Sequence, residues 1–274
     1  DIFTRQIQIG TIDLATKHVT TTVTWQINPQ RGGQIVLSTR LTNWRAPVAA
    51  PRGGVLVYGN GGMTSDVIRY RILDGTNGTW GASSTAADID ATTTNRALRA
   101  VQVYASATRN EKVMISRHYN GSSQFIYTQV WNGASWGNVQ LLSSWAATTF
   151  LNVQNFSGTY LQNGDFMVVY SDNTATPKFR VWNGVSWGSQ IAMQDISSIS
   201  SGIPNYVVIK ARPGTNEVMA AFFDQLSDTN TEYFNGGAYA TASWVRHTQH
   251  SNVAPLNTKQ FIDFVWSPNT TTKS

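Results

Sequence analysis

Apolar and polar residues alternate with a period of two along most of the chain, and no stretch holds an apolar stripe at helical spacing, so the pattern predicts strands and turns. The clearest unit has strands over Leu98 to Ala105, Val113 to Tyr119, Phe125 to Trp131 and Trp136 to Leu142. Turn signals separate them at Arg109-Asn110-Glu111, Asn120-Gly121-Ser122 and Asn132-Gly133-Ala134-Ser135. Asn-Gly at the last corner has a direct cause, because tight hairpins need residues that tolerate positive φ.

The same plan recurs. A third unit reads Phe150 to Tyr160, Phe166 to Tyr170, Phe179 to Trp182 and Trp187 to Met193; a fourth reads Tyr206 to Ala211, Val218 to Phe223, Glu232 to Phe234 and Trp244 to His247. A looser first copy has strands at Gln34 to Thr42, Val55 to Tyr58, Val67 to Leu73 and Trp80 to Ser84. One phrase ties the four together: Arg71-Ile72-Leu73-Asp74-Gly75, Gln129-Val130-Trp131-Asn132-Gly133, Arg180-Val181-Trp182-Asn183-Gly184 and Glu232-Tyr233-Phe234-Asn235-Gly236. Each is followed by a tryptophan, at Trp80, Trp136, Trp187 and Trp244, spaced 56, 51 and 57 residues apart. Lys112-Val113-Met114, Asp165-Phe166-Met167 and Glu217-Val218-Met219 add a second alignment point.

Four antiparallel strands in a unit of about fifty residues predict an all-β fold, a β-propeller whose blades bury their faces on one another. Gln260 to Trp266 matches the first strand of a further unit, and the Thr-rich strands Thr4 to Ile9 and Val19 to Ile27 are placed to complete it, which predicts five blades. The expected domains are residues 1–33, N-terminal strands that close the ring or form a small module; 34–266, the propeller repeats; and 267–274, a Thr-rich C-terminal tail.

Composition narrows the function. Only 13% of residues are charged while Thr, Ser, Asn, Gln and Gly are abundant, a composition expected of an exported protein working outside the cell or at its surface. A leader peptide is expected to have been cleaved before Asp1. There is no cysteine, so disulfide staples and thiolate metal sites are excluded. The net charge of +5 comes from basic residues spread singly along strands, without the stripe or module that nucleic-acid binding needs. No run of 18 apolar residues provides a membrane-spanning helix.

Candidate binding residues sit at the hairpin corners. Trp131 and Trp136, and Trp182 and Trp187, flank four-residue loops and are expected as cross-strand neighbours on one face. Such pairs form platforms for sugar rings or seal the blade edge, adding about 0.5–1.5 kcal/mol beyond area burial. Gln129 and Arg180, two residues before the first tryptophan of each pair, place a polar side chain beside the platform. Surface glycans or polysaccharide are the partners this predicts.

Trp131-Asn132-Gly133-Ala134-Ser135-Trp136 and Trp182-Asn183-Gly184-Val185-Ser186-Trp187 resemble the Trp-Asp-Gly-x-x-Trp corner of fucose-binding propeller lectins, with Asn for Asp. The resemblance implies the propeller fold. Those lectins carry a sugar-binding acid three positions before the corner aromatic; here these positions hold Tyr70, Thr128, Phe179 and Thr231, so the fucose site is not implied. Residues 97–266 also resemble tandem Trp-Asn-Gly-x-x-Trp repeats of large secreted bacterial surface proteins, which implies location rather than activity. Asp74-Gly75-Thr76-Asn77-Gly78-Thr79-Trp80 is similar to the turn of sialidase propellers, but Gly75 stands where that turn needs its Asp.

Catalysis has few candidates. Glycoside hydrolysis needs two facing carboxylates, and Asp74, Glu111, Asp165, Asp172, Glu217 and Asp224 all read as turn residues. Glu232 is the one acid at the repeat's polar strand position. Asp224, Asp228 and Asn230 offer oxygens to calcium but lack the glycine and glutamate of a hand-type loop; no other cofactor is expected. His247 and His250 read as loop residues rather than metal ligands. The sequence thus predicts a non-catalytic, carbohydrate-binding surface scaffold. The alternatives are a filament or surface-layer subunit assembled by strand addition and a glycoside-processing enzyme.

Overall fold

The computed structural model describes residues 2–11, 16–28, 31–42, 53–59, 66–90, 96–147, 154–194, 202–251 and 262–267. The chain divides into two compact units, Asp1–Leu56 with Ile72–Ala82, and Val57–Arg71 with Ser83–Ser274.

The first unit is dominated by β1 (Ile2–Thr11), β2 (Thr16–Asn28) and β3 (Arg31–Thr42), an antiparallel sheet in that order. Gln34 to Thr42, expected to open the first repeat, is instead bonded to β2 from Thr24↔Gln34 to Thr16↔Thr42. The pairing follows from the sequence, because Val23 and Trp25 in β2 alternate in phase with Ile35 and Leu37 in β3. Gly33 admits the indole of Trp25, which would collide with any Cβ there. Next along the chain come β4 (Gly54–Gly59), β5 (Ile68–Leu73) and β6 (Ser84–Thr85), a short three-stranded sheet.

The second unit holds three four-stranded antiparallel sheets, each an up-and-down meander. They are β7 (Ala97–Ala105), β8 (Lys112–Tyr119), β9 (Ser123–Trp131) and β10 (Trp136–Ala146); β11 (Phe156–Tyr160), β12 (Phe166–Tyr170), β13 (Lys178–Trp182) and β14 (Ile191–Ala192); and β15 (Pro204–Ala211), β16 (Val218–Asp224), β17 (Thr229–Phe234) and β18 (Trp244–Ser251). Their first strands lie side by side: Gln154 and Tyr206 form a parallel bridge, Ile209 N–H donates to Ser157 Oγ at 3.2 Å and Ala211 N–H to Thr159 Oγ1 at 3.2 Å. Consecutive meanders joined through their first strands are the blades of a β-propeller.

Strand β12 shows how blades stack. Phe166, Val168 and Tyr170 pack with Val113, Ile115 and Ile126 of the preceding blade, while Met167 and Val169 pack with Val207, Ile209 and Phe222 of the following one. Buried on both faces, β12 reads as a continuous apolar run, Phe-Met-Val-Val-Tyr, rather than an alternation. Residues 262–267, read in the sequence as part of a strand, form no strand but dock on the fourth unit, with Ile262 and Phe264 against Tyr206, Val208 and Phe223 and the Trp266 indole donating to Lys210 O at 3.0 Å. The Thr-rich tail from 268 onward, like 148–153 and 252–261, lies outside the described residues.

The pairing register corrects the methionine alignment. Lys112 pairs with Trp131, Phe166 with Trp182 and Val218 with Phe234, so Met167 and Met219 are equivalent but Met114 aligns with Val168. Met114 is therefore one residue out of step, and a one-residue shift along a strand reverses the face. The outer strand of the third unit is also shorter than expected, reduced to the Trp182–Trp187 bridge and Ile191–Ala192.

Candidate functional site

The corner aromatics pair as the spacing predicts. Trp131 faces Trp136 and Trp182 faces Trp187, with ring centroids 5.7 and 5.6 Å apart; Phe234–Trp244 and Leu73–Trp80 occupy the same place in the other copies. Asn132 and Asn183 set the turn, each side-chain oxygen accepting two backbone N–H groups at 2.8–3.0 Å, while Gly133 and Gly184 take φ of 100° and 93°. The expected open platform is not formed. Trp131, Trp136 and Trp182 are 5%, 6% and 2% exposed, and Trp187 is half-buried. Tyr70 packs edge-on against Trp131 and Trp136, and Trp182 joins the apolar layer containing Val113. Trp131, Trp136 and Trp182 are thus packed inside the fold, while Trp187 keeps part of its ring exposed.

Gln129 and Arg180 share one register position with Glu232, opposite Met114, Val168 and Ala220. Gln129 is fully buried and donates to Ala87 O at 2.9 Å; Arg180 is half-buried and donates to Gly188 O at 3.3 Å. Glu232 is 1% exposed, with His247 Nδ1 3.9 Å from its carboxylate. Gln129 and Glu232 lie in the blade interior, whereas Arg180 stays half-exposed.

The acids at the turn into each second strand do more than turn the chain. Glu111, Asp165 and Glu217 are equivalent, each immediately preceding the first residue of β8, β12 or β16. Glu111 accepts from Arg109 at 2.8 Å, from the Tyr160 hydroxyl at 3.0 Å and from the Trp182 indole at 3.0 Å, the last two on the next blade. Burial, reinforced by the Glu111 charge, pushes the Tyr160 hydroxyl far above its ordinary value and keeps it a donor. Asp165 repeats the device, accepting from Tyr239 at 2.6 Å and Asn163 at 2.9 Å. Burial and that bond raise Tyr239 to about 12. Glu217 pairs with Arg212 at 2.8 Å and bonds Tyr233, whose hydroxyl holds the Glu217 carboxyl below its usual range.

At this end of the blades the three turns enclose a cleft of about 250 Å³. Ser106, Ala107 and Thr108 come from the first turn, Thr159 to Gln162 with Gly164 from the second, and Ala211 to Thr215 from the third. Its edges are tied by Arg109 donating to Gly164 O at 2.6 Å and by Gln162 N–H donating to Thr215 O at 3.3 Å. Five hydroxyl-bearing residues, Gln162 and Arg212 line it together with apolar Ala107, Leu161, Ala211 and Pro213, and the Arg212 guanidinium is bonded to Glu217, which lies outside the lining. The arrangement offers donors and acceptors to a neutral, hydroxyl-rich ligand.

No protein-family model matches the sequence, and no curated protein matches it. Solved structures are similar in chain course. A lectin of Aleuria aurantia, solved in complex with Fucalpha1-6GlcNAc, has a TM-score of 0.44 at 11% identity, over 93% of this chain and 80% of that one. The intramolecular trans-sialidase of Ruminococcus gnavus has 0.40 at 6%, over 91% and 49%. The NanB sialidase of Streptococcus pneumoniae has 0.37 at 13%, over 61% and 26%. At such identities residue roles do not transfer.

The candidate cation ligands have other duties. Asp224 Oδ1 accepts the N–H groups of Leu226 and Asp228, both at 2.9 Å, and so caps the turn. His250 Nε2 lies 2.8 Å from Thr231 Oγ1 while His247 faces Glu232, so the two imidazoles have separate partners. Asp66, Asp88 and Asp90, which carry no signal in the sequence, gather within 4.8 Å; Arg96 pairs with Asp90 at 2.6 Å, and desolvation raises the Asp66 carboxyl. The inter-blade cleft is also absent from the sequence expectations. Its one sequence signal is the recurrence of Glu111, Asp165 and Glu217 at a common turn position, which aligns only once strand register is known.

Proposed function

We propose that this protein is a non-catalytic carbohydrate-binding scaffold that acts outside the cell, and that it takes a neutral sugar in the cleft between the turns at Ser106, Gln162 and Arg212. The observation that carries this is an inter-blade cleft whose lining combines hydroxyl-bearing residues, the Gln162 amide and Arg212 with apolar Ala107, Leu161 and Pro213. Arg212 carries forked donors, one of them held by Glu217, and the Ser106, Thr108 and Gln162 side chains add further polar groups, a combination suited to hydroxyls. The size fits a small unit, since the cleft's 250 Å³ lies below the roughly 300–1,000 Å³ of pockets for drug-sized molecules. Glu111, Asp165 and Glu217 are each hydrogen-bonded to partners in the blades, which supports binding rather than hydrolysis.

A glycan array with the purified chain tests the reading. Retention on neutral saccharides is expected; an array without any bound glycan contradicts it.

A further inference from the structure

The sheet of β1, β2 and β3 has two unlike faces. Pairing aligns Phe3 with Trp25, Arg5 with Val23, Ile7 with Thr21 and Ile9 with Val19, and then Val23 with Ile35 and Thr21 with Leu37. One face therefore carries Phe3, Ile7, Ile9, Val23, Ile35 and Leu37, with Arg5, Thr21 and Thr39 among them, while the other carries Thr20, Thr22, Thr24, Gln34 and Ser38 with Val36 among them. The apolar face is open: Phe3, Ile7, Ile9, Ile35 and Leu37 are each 50–68% exposed. A sheet with one apolar face gains its stability by covering it, and monomers rarely leave so large a patch in water.

We infer that this face packs on the same face of a second copy of the chain, closing a two-sheet sandwich about a two-fold axis. The area supports that occupant. Ten residues at about 3.4 Å by three strands at about 4.8 Å give on the order of 500 Å² per copy, roughly 1,000 Å² for the pair, the threshold of a specific interface. Its flat, alternating apolar surface suits the aligned packing of two like sheets about 10 Å apart. The two cations on this face are peripheral, Arg5 on edge strand β1 and Lys17 toward the end of β2, and an arginine stem reaches past a rim while its head stays in water. The inference is independent of the sugar cleft.

Sedimentation velocity over a concentration series tests it. The 30.1 kDa chain is expected to double in mass with a dissociation constant below about 100 µM. Leu37→Lys and Ile7→Lys, both at exposed positions of the apolar face, should each weaken the dimer at least tenfold with an unchanged circular dichroism spectrum, whereas Thr24→Lys on the polar face should leave it intact. A chain that stays monomeric overturns the proposal. So does a dimer that survives both lysines on the apolar face, or open filaments, which indicate pairing through the β1 and β3 edges.

Discussion

The indole of Trp182 donates to the carboxylate of Glu111 at 3.0 Å, across the boundary between two blades and 71 residues along the chain. A hairpin-corner aromatic and a turn acid, which look like separate local features, are thus two halves of one joint. Tyr160 and Arg109 complete it, so the buried carboxylate is satisfied from three directions.

Replacing Glu111 with Gln removes the charge but leaves the shape. The loss of a charged acceptor shared by three donors should cost about 3 kcal/mol. Urea unfolding of Glu111→Gln checks this, with a lowered midpoint and an unchanged slope.

Trp182→Ala separates packing from recognition. A large-to-small change at a 2% exposed tryptophan should destabilise by about 3–5 kcal/mol. If the corner were an open platform, the same change would leave stability nearly intact and abolish sugar retention.

Gly184 sits at φ 93° with the Arg109 guanidinium 3.2 Å from where a Cβ would be. Gly184→Ala therefore meets backbone strain and a displaced Arg109 together, at about 1–3 kcal/mol. Gly121, at φ 98° with no atom within 4 Å of a Cβ, feels the strain alone. Parallel melting of the two alanine variants should place Gly184→Ala lower.

His118 is fully buried, its ring nitrogens 2.9 Å from Arg96 O and from Ser116 Oγ, and burial lowers its pKa to about 4. The folded state therefore resists protonation that the unfolded chain accepts near 6.5. The stabilising contribution is full above pH 6.5 and is lost as pH falls toward 4, about 3 kcal/mol in all. His118→Asn should flatten the stability profile in that window, measured as urea midpoints at about pH 7 and about pH 4.5.

The repeat is legible in the sequence because propeller blades restate one alternation, and the Asn-Gly corners mark where each hairpin closes. Site chemistry is less legible. Trp131 and Trp182 have the same sequence pattern whether their rings face water or a neighbouring blade, and only the stacking of Tyr70 and Val113 against them decides it. Gln34 to Thr42 fits a blade strand as well as it fits a partner for β2, because alternation gives the face and not the partner. The cleft draws on residues from 106 to 215, a juxtaposition that linear spacing does not display.

The most direct test of the sugar cleft is isothermal titration of a retained glycan into Ala107→Phe, which fills the cleft from an exposed turn position, beside Trp136→Phe, which alters a buried corner. Ala107→Phe should lose the binding heat while Trp136→Phe binds like the parent chain. Undiminished binding to Ala107→Phe, with loss in Trp136→Phe, would contradict it and return the corner tryptophans to the role of ligand platform.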